Sequence, residues 1–451
     1  MVKGLLEKNT RILEFPGNRP VKETSKNKSN KAPLNLLKFK PFKLIAKSKL
    51  FPIFPQLITL SVYVILFAGS IGVGYENKIA PYIANTNLAN QVVWNIWWPI
   101  TLVIAIIAGR LWCSICPLEL INSLGSRIGM KKKVPGWLKS GWIITLFYAF
   151  ILFGAGKYLG LQAVPRTLAI YLATVIFLSF ILGLIFEKRS FCSYVCPLGS
   201  ILGMYSYIAG TEWRADDPDT CKECKTKDCL AKRNRYKLTG HSCTSNINPF
   251  NIHDNHECLL CTHCLKACPS TNFRFSLRLP FTDFFKNIKL NLAEMGILFL
   301  IIGFVNNNWH SLVVFTLIPL LLCLLVARKS PAPMLNAFMI LLIPVTATTH
   351  ILHAFRGTIW NWPLFKLNFQ DPLGVHTATM LAEKTLIIDR SGMAQVWNLL
   401  GTTTGLLYGA VFVVSVVIIL KSPITRNINR TGKLMLILSV ASYIASFYIK
   451  V

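Results

Sequence analysis

Acidic residues are scarce in this chain: among 451 residues there are 19 Asp and Glu against 48 Lys and Arg, a formal net charge of +29. Charge of either sign is sparse, at 15% of residues, while 53% are hydrophobic and mean hydropathy is +0.48. That poverty excludes a soluble carrier and requires lipid as part of the solvent. No Gly-rich nucleotide or dinucleotide loop follows a strand pattern, and no Ser/His/Asp arrangement is visible, so nothing points to a nucleotide enzyme or a hydrolase. The first fifty residues hold no secretory hydrophobic region. No nucleic-acid partner is expected either, because the basic residues alternate with apolar runs and form no domain of their own.

What is present first is a series of apolar runs. A hydrocarbon core of roughly 30 Å needs about 20 residues of helix, and about nine segments qualify, near 54–75, 92–109, 141–160, 166–186, 290–306, 310–327, 335–353, 396–420 and 433–449. Lys and Arg in short loops mark the cytoplasmic side. The first fifty residues carry 13 of them against three Glu. The loops 110–139, 187–289, 328–333 and 421–433 are basic too, and the alternate loops are nearly neutral. The expected topology has the amino terminus and those four loops inside a bacterial cytoplasmic membrane, in contact with anionic lipid. Residues 20–32 read as a polar tail, and 34–49 as a basic amphipathic segment that Pro41 would interrupt.

The cysteines carry the chemistry. ECLLCTHCLKACP places Cys258, Cys261, Cys264 and Cys268 as C-x2-C-x2-C-x3-C followed by Pro269, a spacing that wraps a cubane iron–sulfur cluster with three thiolates and sends the fourth to a second cluster. Zinc is the competing reading, since paired C-x2-C also suits a tetrahedral site. Zinc knuckles, however, separate their pairs by more residues and have no use for the proline. Upstream, Cys221, Cys224 and Cys229 follow C-x2-C-x4-C, with Cys243 beyond. The exchange rule of two-cluster ferredoxins then assigns Cys221, Cys224, Cys229 and Cys268 to one cluster, and Cys258, Cys261, Cys264 and Cys243 to the other. The first run is stretched, and Thr244 stands where a proline is usual.

A second pair of motifs is repeated. GRLWCSICPLELINSLG follows the second apolar run and EKRSFCSYVCPLGSILG the fourth, an internal repeat of two helices and a Cys-Pro loop at the cytoplasmic end of each. A pseudo-twofold pair would bring Cys113 and Cys116 toward Cys192 and Cys196. Those four thiols could hold a further metal or cluster, act as redox-active dithiols, or pack. The first loop is one residue shorter than the second, so the two halves differ in geometry.

Taken together, four spans, two Cys-Pro loops and two ferredoxin-type motifs make residues 54–280 resemble the NapH/NosR-type membrane polyferredoxins, with CcoG-type assembly proteins as relatives. The resemblance implies two [4Fe–4S] clusters on the eight ferredoxin-type cysteines, and a role in electron supply to periplasmic reductases or in maturation of copper or haem enzymes. The chain departs from that pattern in having neither the periplasmic flavin domain nor a soluble domain after the clusters, and five further spans instead.

The expected fold is an α-helical polytopic membrane protein of about nine transmembrane helices with a small inserted α+β ferredoxin-like domain. Its parts are a basic cytoplasmic tail (1–50), a four-span unit (51–210), the cluster domain (211–280) and a five-span unit (281–451). His310, His350, His353 and His376 map to the outer face, and the first three are candidate ligands for a haem or metal, against the plainer alternative of interfacial histidines. Cys323 reads as packing, and Glu119 and Glu294 as snorkelling carboxylates or proton relays. The expected function is electron transfer from a cytoplasmic donor, such as an acidic flavodoxin or ferredoxin, or from the quinone pool, to a membrane or periplasmic partner. It would act as one subunit of a respiratory system, with assembly factor or redox sensor as the alternatives.

Overall fold

A computed structural model describes residues 34–73, 78–245, 247–306, 309–328 and 331–448. The polar tail expected over 20–32 lies outside them. Helices stand at all nine expected crossings. They are α2 (Ile53–Ile71), α3 (Leu88–Ala108), α6 (Trp142–Tyr158), α7 (Pro165–Ile185), α12 (Leu292–Asn306), α13 (Val313–Val326), α14 (Pro331–Gln370), α16 (Ser391–Lys421) and α17 (Arg430–Tyr448). Five of these, α2, α3, α7, α14 and α16, are long and apolar enough to cross a membrane, and α6, α12 and α13 are shorter apolar helices.

Between them lie α1 (Lys40–Lys47), α4 (Leu111–Ile115), α5 (Pro117–Ile128), α8 (Ser190–Tyr194), α9 (Pro197–Tyr205), α10 (Pro218–Glu223), α11 (His263–Ala267) and α15 (Val375–Ala382). Proline begins many of these elements rather than ending them. Its fixed φ and missing N–H suit the first turn, and Pro41, Pro117, Pro165 and Pro197 all sit there. Pro41 therefore starts α1 at Lys40 instead of interrupting a helix over 34–49. Nor is this segment a free tail. Ala46 is buried with Trp213, Leu265 and Phe273 of the cluster domain, and Leu277 N donates to Leu34 O at 3.1 Å.

At the centre of the bundle runs α14, forty residues long, with every residue from Ala337 to Ala347 buried. The expected seventh span at 335–353 is only its first half. The helix continues through Pro363 to Gln370, so much of the expected outer loop is helical. Beyond Pro363 the helix is held by Asn361, buried and donating to Asn85 Oδ1 at 3.1 Å in the short helix Ala80–Thr86.

The loops sort onto two ends as their charge suggests. At one end Ser422 Oγ donates to Phe284 O (2.6 Å), Leu290 N to Asn336 Oδ1 (2.9 Å) and Lys132 N to Ile185 O (2.9 Å), beside the cluster domain. At the other, Asn87 Nδ2 donates to Gly69 O and Leu373 O, and Asn90 Nδ2 to Gln162 O. The cluster segment is bracketed by β1 (Thr211–Ala215) and β2 (Phe273–Leu277), an antiparallel pair with Trp213 opposite Phe275.

Candidate functional site

The Cys258–Cys264 loop is wound by two left-handed residues, Leu260 (φ 59°) and Thr262 (φ 61°), an uncommon conformation for side-chain-bearing residues. The backbone N–H of Leu260 faces the Cys258 sulfur and that of His263 faces Cys261, while Ser245 does the same for Cys243. Amide donors aimed at sulfur are what an anionic cluster requires.

The thiols gather in the two expected sets. Cys243, Cys258, Cys261 and Cys264 lie close enough that each acts electrostatically on every other. Cys221, Cys224, Cys229 and Cys268 line one cleft with Pro269, Phe250 and Phe273, and Cys268 acts on both Cys221 and Cys229. The crossing of Cys268 to the upstream run, and of Cys243 to the downstream run, is the exchange that the spacing calls for. A backbone bond from Cys243 N to Cys229 O (2.9 Å) ties the two nests together.

Burial pushes the thiols of Cys229 and Cys258 up to about 11, and those of Cys243 and Cys264 higher. Buried thiols that must ionise to bind metal couple folding to loading. Cys224, near the surface, goes the other way, lowered by the Lys227 backbone N–H and the Thr226 hydroxyl. Two neutral donors complete the surroundings: Trp213 Nε1 to Cys264 Sγ (3.3 Å) and Asn272 Nδ2 to Cys221 Sγ (3.2 Å). Among the described residues no three His, Cys, Asp or Glu side chains converge on a single-ion position.

The histidines among these cysteines pack rather than point at the nests. His241 and His263 stack at 3.7 Å. Burial, then the neighbouring His241, brings His263 down to about 2, so its neutral Nδ1 accepts from Gly240 N at 3.2 Å. His256 is held the other way. Burial alone would lower it, but Glu257, Glu294 and Asp254 raise it to about 9. This imidazolium, 3.1 Å from Glu257 and 3.4 Å from Glu294, joins the cluster domain to α12. Glu294 is thus paired inside the protein, and so is Glu119, 3.3 Å from Arg189 and accepting from Gln56 Nε2 at 2.6 Å. Neither snorkels.

Cys113, Cys116, Cys192 and Cys196 also come together, and deeper than the ends of the apolar runs. After Ala108 the chain breaks at Gly109 (φ 64°), turns through α4 and restarts at Pro117. Each Cys-Pro cysteine is extended, at ψ 134° and 112°, because a following proline disfavours the helical region. The helix α5 then runs beside α7, its Gly125 and Gly129 against Leu184. Cys116 and Cys196 face Tyr63, in the middle of α2, and Cys196 also faces Tyr171, in the first half of α7.

Of the outer candidates, His350 is fully buried, with Nδ1 2.9 Å from the Tyr205 hydroxyl and its ring 5.5 Å from that of Trp98. His353 packs edge-on to Phe304, and His310 is exposed on the short helix Trp309–Leu312. Cys323 is buried, 3.4 Å from Ser439 Oγ. The sequence reasoning noted Arg110 and Arg189 only as part of the repeated motif and passed over Trp213 and Asn272. The arginines carried a signal, since each occupies the same position ahead of the cysteines in both repeats.

The fold and these nests define a class, a helical membrane protein with ferredoxin-type cysteine nests. Residues 91–135 and 169–215 match the family model for a 4Fe–4S binding domain. Both segments fall on the two-helix repeats, and the cysteines within them are Cys113, Cys116, Cys192 and Cys196. The chain is similar to an uncharacterised protein of Methanocaldococcus jannaschii, 29% identical over 185 residues, 39% of this chain and 68% of that one. It is also similar to the putative electron transport protein YccM of Escherichia coli (24% over 235 residues, 45% and 62%) and to NirI of Paracoccus denitrificans (26% over 200 residues, 40% and 28%). The resemblance to the membrane polyferredoxins stands on these matches. No solved structure matches.

Proposed function

We propose that the protein conducts electrons through two [4Fe–4S] clusters, one on Cys221, Cys224, Cys229 and Cys268 and the other on Cys243, Cys258, Cys261 and Cys264, as a subunit serving a membrane or periplasmic redox partner. The carrying observation is the crossed assembly of the two sets of four thiols. A single structural ion would not need it, and two adjacent clusters would. The first nest opens to the surface among exposed charges of both signs, Lys225, Lys227 and Lys232 beside Asp217, Asp219 and Glu223, and this is the side on which a soluble donor would dock. The second, half-buried, lies toward the bundle. With the basic loops at the same end, this face is assigned to the cytoplasm.

The test is an anaerobic preparation examined by EPR after reduction. Cys229→Ser and Cys261→Ser should each remove a different signal. Zinc without iron in the protein, or one signal lost to both changes, would end the two-cluster reading.

A further inference from the structure

At the basic end of the bundle a narrow cleft is lined by Arg127, Lys188, Arg189 and Arg235, with the hydroxyls of Ser123 and Ser126 among them. Three elements meet there. The helix α5 supplies Ser123, Ser126 and Arg127 from successive turns, the chain just after α7 supplies Lys188 and Arg189, and the cluster domain supplies Arg235. Arg127 Nη2 approaches Lys237 O of that domain at 3.5 Å.

The charges in this cleft do not balance. Arg189 lies 3.3 Å from Glu119, and Arg235 Nη1 2.6 Å from Glu187. Arg127 and Lys188 come in addition, and among the described residues no carboxylate lines the cleft itself. Burial lowers the pKa of both, and the Arg235 guanidinium lowers Lys188 further, so the site opposes more positive charge and favours an anion. Arg235 Nε is buried with no hydrogen-bond partner among the described residues, a donor that a ligand oxygen would satisfy. The second cysteine nest is near, since Lys188 feels Cys243 and Arg189 feels Cys261. Yet Thr244 lines the cleft and Cys243 does not, so the cleft is a cavity apart from the nest.

The surroundings say which anion fits. Leu124 and Ile128 each follow a cleft residue by one position and form the neighbouring stripe of α5. They are 47% and 67% exposed, and Met130 beyond them is 59% exposed. A free phosphate has no use for such a stripe. A phospholipid uses both parts, the cations for its phosphate and the apolar stripe for its chains. Depth agrees, because α7, long and apolar enough to cross a membrane, ends at Ile185, three residues before Lys188. That is where headgroups lie.

We propose that this cleft binds the phosphate of an anionic phospholipid, with its acyl chains along Leu124 and Ile128. Guanidinium forks and a serine hydroxyl are suited to phosphate oxygens. Held by α5, Lys188 and Arg235 together, the lipid straps the cluster domain to the bundle. The site goes beyond the electron-transfer reading; it requires that the chain sit in a bilayer and does not depend on how many clusters it carries.

The full-length protein, purified anaerobically and delipidated in a neutral detergent, can be titrated with phosphatidylglycerol while bound lipid is counted by native mass spectrometry. One phosphatidylglycerol should bind in preference to phosphatidylcholine. Arg127→Gln and Lys188→Gln should each weaken it about fivefold, the usual effect of one cation at an anionic headgroup. Arg127→Lys keeps the charge and should retain most of the affinity, which separates lost charge from a disturbed fold. Lys47→Gln combined with Lys49→Gln removes two exposed cations outside the cleft and should change nothing. Equal weakening by that control pair reduces the binding to general attraction by a basic protein and overturns the site. Native binding that neither cleft variant weakens places the lipid elsewhere and overturns it too. Inorganic phosphate bound at these residues, with no preference between the two lipids, assigns the cleft to a free anion and overturns the lipid.

Discussion

Single residues tune these nests. The Trp213 indole donates to Cys264 Sγ, and hydrogen bonds to ligand sulfur raise a cluster's potential by stabilising the more negative reduced state. Trp213→Phe should therefore lower the midpoint potential of the cluster that Cys261→Ser removes, and leave the cluster lost in Cys229→Ser unshifted in a redox titration. Asp283 governs docking rather than potential. It accepts from both Arg278 Nη groups (2.6 and 2.8 Å), Lys286 Nζ (2.6 Å) and Asn255 N (3.1 Å) while fully buried. Burial alone would raise its pKa, but the Arg278 and Lys286 bonds outweigh that and hold it below the ordinary 3.8. A depressed carboxylate contributes its stability above the unfolded pKa and loses it as pH falls through the folded value. The contribution is thus full at neutral pH and vanishes only in acid. Asp283→Asn removes the charge that holds buried Arg278 bidentately, leaving it only the Glu212 carboxylate at 3.9 Å, and should cost about 3 kcal/mol, read as earlier thermal bleaching of the cluster absorbance at pH 7.

At the scale of elements, proline and glycine placement builds the interior. Cys-Pro pairs restart helices at Pro117 and Pro197, and small residues then let α5 and α7 cross closely. A Cβ on Gly183 would stand 2.5 Å from Asn122 O, and one on Gly125 2.8 Å from Phe180 O. Gly183→Ala must push the two helices apart and should cost about 1–3 kcal/mol, seen as a lower melting temperature in detergent. Gly72→Ala, where an added Cβ meets nothing within 4 Å, should leave it unchanged and serves as the control. The same logic explains α14. Pro344 and Pro363 both stand inside this helix, which runs on past them, with Asn361 donating to Asn85 Oδ1 across from it.

For the whole molecule, the proposed nine crossings, an odd number, predict termini on opposite sides. A protease-cleavable tag at the amino terminus should be protected in spheroplasts and one at the carboxyl terminus cut. Both tags cut, or both protected, would break the nine-crossing topology. The polar connections at each end already agree with the split of basic and neutral loops. That much was legible in advance, because bilayer thickness and lysine distribution are properties of the chain itself.

The apolar runs, the division of basic from neutral loops and the crossed grouping of the eight ferredoxin-type cysteines were legible in the sequence by itself, since those depend on local spacing and composition. Only the tertiary structure decided how deep the Cys-Pro thiols lie, which cations gather at one cleft, and that His350 is buried against Tyr205 instead of lying at a helix end. Such facts arise where separate helices meet. No spacing along one strand of sequence encodes the approach of Arg127 to Lys237, or the pairing of Arg189 with Glu119. Packing sets both.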